Sequence, residues 1–297
     1  ALLVVGYNGL VMRLTNPAWQ TINQGHTHWL TGILAADCDR VVAVGKRGTV
    51  LMSMGDGWVD IAPDVDGVDY AAIWGESPDD FFVVGSRGRI ARYQTGRPWT
   101  LWQLQTEANL EGIWGSGPDD IYEVGARGTI VRFDGVSWET VDSGTTLSLA
   151  AIHGRGPADV YAVGLGGTIV HFDGIIWRPL ASGVGSSLKG VFSRPEGETV
   201  VVGDGGLILH SGPGQNGGTV WDPPPVPATV FSLTAVTGDP DGRVYAAGNN
   251  GVILRYDGEE WIPVPTGYFD PLNAIQVSPC GGLHAAGLWG LILEYGD

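Results

Sequence analysis

Three arginines, Arg47, Arg87 and Arg127, stand forty residues apart, each directly before the closing glycine of a G-x-x-G step. They stand among turns where a ligand could sit. Across the chain the two residues between those glycines vary, from Tyr7 through Leu165, Asp204 and Asn249 to Trp289. A constant frame with variable tips is how a scaffold presents binding groups, although exposed positions also drift. Trp74, Trp114 and His153 share another repeat position, where an aromatic face could stack on a sugar or pack inside the fold. The pairs Asp79-Asp80 and Asp119-Asp120 follow Pro78 and Pro118. Calcium needs several converging oxygens, and no D-x-D-x-D run supplies them. Aspartate in such a loop commonly bonds its own backbone, so these pairs read as turn formers. His26 and His28 flank Thr27 without a third zinc ligand in view. No Ser-His-Asp set, phosphate loop or dinucleotide fingerprint can be placed, because the G-x-x-G steps lie between two strands rather than between strand and helix. No catalytic residue, metal ligand or cofactor is assigned.

The elements that hold these residues come from an internal repeat. An apolar run followed by G-x-x-G occurs eight times, its first glycine at Gly6, Gly45, Gly85, Gly125, Gly164, Gly203, Gly248 and Gly287. Each unit of about forty residues predicts four short strands. In residues 111–149 these are Gly112 to Trp114, Ile121 to Val124, Thr129 to Phe133, and a fourth led by Trp138. Alternation has period two, and helical periodicity is absent. Turns such as Asn8-Gly9, Arg127-Gly128 and Asn250-Gly251 suit the type I′ hairpin. The repeated Trp19, Trp58, Trp99, Trp138, Trp177, Trp221 and Trp261 read as packing anchors between units.

Four strands per repeat match the blades of an all-β propeller, here one domain over residues 1–297. First-strand segments occur seven times, near Gly32, Ala72, Gly112, Ala151, Gly190, Ala235 and Ala274, whereas the central hairpin occurs eight times. Seven four-stranded antiparallel blades are favoured, with eight as the alternative. In the seven-blade ring the strand around Trp19 would complete the last blade. Cys38 and Cys280 occupy equivalent loops that become neighbours only in that ring, where a disulfide could pin the closure. Between Gly212 and Val226 the sixth unit is longer and carries Pro223-Pro224-Pro225, which cannot donate into a central ladder and predicts a surface excursion.

Acidic residues outnumber basic ones 32 to 16, for a net charge of −16. A phosphate backbone would be repelled, which disfavours nucleic acid as a partner. No apolar run reaches the length of a membrane-spanning helix. No signal peptide stands at Ala1, so the chain reads as a mature or excised form, secreted or at a cell surface.

At Asp134-Gly135-Val136-Ser137-Trp138, and likewise at Asp173 to Trp177 and Asp257 to Trp261, the unit resembles the Asp-box repeats of bacterial propellers. More distantly it is similar to the photosystem II assembly-factor propellers. The resemblance implies a propeller over the whole chain and specifies an activity less well. A sialidase-like site would need an arginine triad, a tyrosine–glutamate pair and an acid aspartate. Here the arginines Arg92, Arg132 and Arg255 are locked to the repeat, as blade supports would be. The expected function is non-enzymatic binding, foremost as a carbohydrate-binding lectin or surface adhesin, whose equivalent pockets would add through multivalency. A protein-binding scaffold or assembly factor is the alternative, and a degenerate sialidase-like glycosidase the second. The expected partner is a glycan or a surface protein. Candidate ligand-binding residues are Arg47, Arg87, Arg127, Trp289, Tyr7, Trp74 and Trp114.

Overall fold

The β-branched and aromatic runs of each repeat pair with their own neighbours in sequence, which costs the least loop closure. The computed structural model describes residues 2–6, 10–15, 18–21, 28–54, 57–195, 197–213, 219–222, 229–239, 242–287 and 292–295. Six sheets carry four antiparallel strands in sequence order, at residues 30–60, 70–103, 110–141, 149–180, 188–222 and 233–264. We number them blades one to six. Blade three shows the pattern, with Leu110–Gly117, Asp120–Gly125, Ile130–Phe133 and Trp138–Val141 paired in that order.

The expected count is thereby corrected. Six sheets are four-stranded blades, rather than seven or eight, and the two ends of the chain contribute sheets of three strands. Leu2–Gly6, Leu10–Thr15 and Ala18–Thr21 pair among themselves, so the strand around Trp19 does not complete the C-terminal sheet. That sheet consists of Leu272–Val277, Leu283–Gly287 and Ile292–Tyr295. Its first strand lies beside the first strands of both blade six and blade one and closes the circle. Strand Leu2–Gly6 lies next to Ile292–Tyr295 at its outer side. Of the excursion expected between Gly212 and Val226, Pro223 to Pro225 lie outside the described residues, whereas Thr219–Asp222 pairs with Ile208–Pro213 as the fourth strand of blade five.

The G-x-x-G step sets the backbone of every blade. Thr129 N–H donates to Ala126 C=O (3.2 Å), with Arg127 and Gly128 at φ 59° and 71°. Positive φ at both central residues is the type I′ hairpin. A Cβ on Gly125 would lie 2.1 Å from the Asn109 carbonyl oxygen, and one on Gly128 would lie 2.1 Å from that of Thr145. The first glycine lets the hairpin meet its own inner strand. The second lets it meet the linker to the next blade.

Between blades the core is continuous. Val44 and Val50 of blade one pack with Phe81 and Val83 of blade two, and Tyr122 and Val124 of blade three pack with Trp177 of blade four. The repeated tryptophans from Trp58 onward thus reach back to the preceding sheet, and Trp58, Trp177, Trp221 and Trp261 are buried. Polar ties span the same gaps. Arg40 of blade one grips Asp79 of blade two through two 2.7 Å bonds, and Trp99 Nε1–H donates to Ile61 C=O (2.9 Å). At the closure Asn273 Nδ2–H donates to Leu30 C=O (2.8 Å), and Ala35 N–H donates to Gln276 Oε1 (2.7 Å). Cys38 and Cys280, whose Cα atoms are 5.5 Å apart, form a disulfide in the same seam.

That disulfide spans most of the chain, so its loss frees a large loop in the unfolded state. Reduction, or the pair Cys38→Ser and Cys280→Ser, should cost about 2–4 kcal/mol and lower Tm by roughly 5–10 °C. Thermal denaturation with and without a phosphine reductant measures this, and an unchanged Tm would show that the hydrogen-bonded seam closes the ring unaided.

Candidate functional site

One end of the ring carries the central hairpin turns together with the linkers between blades. On blades one, two and three the turn residue is arginine. Arg47, Arg87 and Arg127 hold φ 57°, 58° and 59°, a left-handed conformation that blades four and five give to Gly166 and Gly205 and blade six to Asn250. An L-residue there costs on the order of 1–2 kcal/mol against glycine. The main chain of each is used locally. Arg47 N–H donates to Asp69 Oδ1 (2.9 Å), Arg87 N–H to Asn109 Oδ1 (3.1 Å) and Arg127 N–H to Ser148 Oγ (3.1 Å). Those acceptors sit in the linker to the next blade, so each turn also ties two blades. The side chains are exposed, and none makes a salt bridge among the described residues. The Arg47 N–H, with Lys46 Nζ 3.5 Å away, holds the Asp69 carboxyl below its usual range. The other half of the same face exposes apolar side chains, Leu165 in the blade-four turn and Leu147, Val230 and Phe269 in linkers, beside the Lys189–Asp204 pair. Tyr7 and Trp289 lie outside the described residues.

The inner strands enclose a central cavity of about 380 Å³. Trp74 and Trp114 line it, yet their ring edges are taken up by the next blade. A Cβ on Gly115 would come within 2.8 Å of the Trp74 ring, and one on Gly154 within 2.7 Å of the Trp114 ring. His153 continues the series between Trp114 (6.0 Å) and Phe192 (4.8 Å). Its Nδ1 accepts the Ser193 N–H (3.1 Å), which leaves the proton on Nε2, and burial pulls its pKa down to about 4. Glu111, at the cavity wall, reaches water but is enclosed enough that desolvation raises its pKa.

At the opposite end the aspartate pairs do something other than form turns. Asp80 receives Arg92 through bonds of 2.8 and 2.9 Å, Asp120 receives Arg132, Asp159 meets His171 (2.7 Å), and Glu198 meets His210 (2.5 Å). Asp79 is held well below the usual carboxylate range, first by Arg40 of blade one and then by Thr95. A cross-strand arginine or histidine takes up the carboxylate at Asp80, Asp120, Asp159 and Glu198. Backbone-bonding aspartates recur in the outer hairpin, at Asp134, Asp173 and Asp257, each accepting two N–H groups of its own hairpin. His28 Nδ1 meets Thr49 Oγ1 (3.0 Å), and His26 lies outside the described residues. No cluster that could hold a metal occurs among the described residues.

Glu123 escaped the sequence reading. It is fully buried, with neither oxygen hydrogen-bonded among the described residues. Its equivalents in the neighbouring blades are Val83 and Ala162, both packed against the preceding blade. The signal was available: one acid inside an otherwise apolar second strand.

No known protein family's sequence profile matches the chain, and no curated protein matches it. Solved structures do. Virginiamycin B lyase from Staphylococcus aureus superposes with TM-score 0.79 at 14% identity, covering 99% of this chain and 98% of that one. The WD40 β-propeller domain of Doa1 gives 0.75 at 12% identity over 92% and 95%. YCF48 from Cyanidioschyzon merolae gives 0.73 at 17% identity over 92% and 96%. At such identities the likeness establishes the propeller fold alone. The resemblance to assembly-factor propellers therefore holds at the level of fold, and nothing in these comparisons supports the Asp-box relationship.

Burial raises the Glu123 pKa well above its ordinary 4.5, so the folded protein carries it neutral. The unfolded chain ionises it above that value, so unfolding releases a proton and stability falls as pH rises. Glu123→Val should therefore stabilise the protein, by about 1–3 kcal/mol near pH 8 and by less near pH 5. Thermal melts of variant and wild type at both pH values test this, and a variant that melts below the wild type at the higher pH would mean that a partner stabilises the carboxylate.

Proposed function

We propose that this chain is a non-enzymatic, protein-binding scaffold or assembly factor that presents Arg47, Arg87 and Arg127 to an acidic surface of its partner. The observation that carries the reading is the cost of those residues. Three adjacent blades hold arginine in a left-handed turn position where glycine is easier, and leave the guanidinium exposed and without a salt bridge among the described residues. Strain retained without a structural return is a mark of a binding tip. In a chain of net charge −16 a local row of cations also steers an acidic partner to one end of the ring. Fold likeness to the WD40 domain of Doa1 and to YCF48 favours a scaffold over a lectin in this reading. Glycan binding is further disfavoured at Trp74 and Trp114, whose rings pack on the following blade. Location outside the cell or at its surface belongs to the same proposal, because the Cys38–Cys280 bond persists in an oxidising compartment.

The triple variant Arg47→Ala, Arg87→Ala, Arg127→Ala should weaken binding of a labelled poly-glutamate peptide by about tenfold or more, and raised salt should weaken the wild type in the same direction. Tm should hardly move. Replacing the same residues by glycine should raise stability by about 0.5–1 kcal/mol per site, while binding is lost equally. Fluorescence anisotropy and thermal melts read both. Unfolding of the alanine variant would make these arginines structural ties and remove the proposal.

A further inference from the structure

The six blades differ in how they guard their outer edges. An outermost strand exposes unpaired N–H and C=O groups, and folded proteins blunt such edges with charge or proline. Blade one carries Asp60 there, blade three Glu139, blade four Arg178 and Pro179, blade five Asp222 and blade six Pro263. The outer strand of blade two, Thr100–Gln103, reads Thr-Leu-Trp-Gln and carries neither. Leu104 N–H donates to Gly88 C=O (3.0 Å) and Trp102 stands opposite Ile90. The alternation of an antiparallel ladder then turns the N–H and C=O of Leu101 and Gln103 away from the blade.

A groove runs beside this edge. Between the strand and the outer hairpin of blade three lies a cavity of about 450 Å³, walled by Trp102, Leu104, Val136 and Trp138. Trp102 breaks the repeat, because the residues facing Ile130 and Ile169 in the next two blades are Val141 and Leu180. It lies nearly parallel to Phe82 (6.2 Å) and edge-on to Trp138 (6.3 Å). No charged side chain lines the groove.

The surroundings are basic in an acidic protein. Four of its 16 basic residues, Arg87, Arg89, Arg92 and Arg97, fall in one short stretch. Arg92 is committed to Asp80 (2.8 Å), whereas the other three make no ion pair among the described residues. Two of them bracket the strand. The Gln103 amide donates to Arg87 C=O (2.6 Å), and Arg97 sits in the hairpin that leads into Thr100. A second copy of this chain would set these arginines against themselves.

We propose that the edge of blade two accepts an extended acidic segment of a partner protein as a fifth strand. Main-chain hydrogen bonds to Leu101 and Gln103 hold the segment, and its alternate apolar side chains enter the groove beside Trp102. Its carboxylates meet Arg87 and Arg97 at the two ends. The inference rests on the protein-binding reading above and names the partner's chemistry.

The probe is a labelled nonapeptide alternating glutamate with valine, with two controls: N-methylation at alternate residues, and lysine in place of glutamate. Saturable binding is expected for the first peptide alone. Leu101→Pro removes an outward N–H, and Leu101→Lys supplies the guard that other blades carry. Each should weaken binding about tenfold, with Tm confirming that both variants fold. Arg47→Ala with Arg127→Ala, distant from the edge, should change it by less than about twofold. No saturable binding, equal binding of the N-methylated peptide, or indifference to both Leu101 variants overturns the proposal. So does a wild-type dimer in light scattering that Leu101→Lys dissolves, since the occupant is then a second copy. If the Arg47 and Arg127 changes abolish binding and the edge variants do not, the arginine face stands and the edge inference falls. If only the edge variants matter with this probe, the edge stands, and the arginine face is judged separately by the poly-glutamate assay.

Discussion

The fold depends on one close approach, made at every repeat among the described residues. The hairpin between second and third strands lies so near its own inner strand that a Cβ on Gly85, Gly125 or Gly203 would sit 2.0, 2.1 or 2.2 Å from a carbonyl oxygen. That contact decides where the hairpin points, and therefore how the sheet is presented to the next one. Blades then pack face to face, with the linker carbonyl of the following blade seated against the second glycine. An alanine at the first position would force the hairpin off its own inner strand, and at Gly88, Gly128, Gly167, Gly206 or Gly251 one at the second would force it off the linker to the next blade.

Radial sheets diverge outward, and the side chains record it. Near the axis glycine and alanine suffice, as at Gly112 and Ala151. Further out the gap takes valine and isoleucine, and at the rim it takes tryptophan and the rings around it. Where the rim opens to water, Arg40 with Asp79 bridges two blades and Arg92 with Asp80 braces the strands of one blade. Exposed pairs of this kind contribute little to stability, and their use is in orientation. Blade two departs from the series, with an added tryptophan at its rim and an edge that lacks charge.

The two ends of the ring have different chemistry for the same reason. Hairpin turns and linkers must satisfy tight backbone geometry, so their tips are free to vary in side chain, and arginine occupies three of them. At the other end, in blades two to five, an acid at the start of the second strand meets an arginine or histidine on the third, so these side chains are spent within the blade. A binding role is therefore argued from the turn end, and the paired end is the brace.

The amino-acid sequence on its own established the repeat, the four strands of each unit, the turn type and the packing role of the tryptophans. All of these follow from local rules: period-two alternation, glycine at positive φ, and a large ring at one recurring position. It also named Arg47, Arg87 and Arg127, because position within a repeat places a residue at the same end of each blade. Tertiary structure alone decided how the circle is completed. Six four-stranded blades with a three-stranded closing sheet, in place of seven or eight, is a choice among distant pairings of nearly equal local merit. It also decided the use of the aspartates, whose cations lie on another strand or another blade. Glu123 and Trp102 were visible as departures from the repeat. Their meaning needed the neighbouring blade, since burial without a partner and a groove beside an unguarded edge are properties of two sheets together.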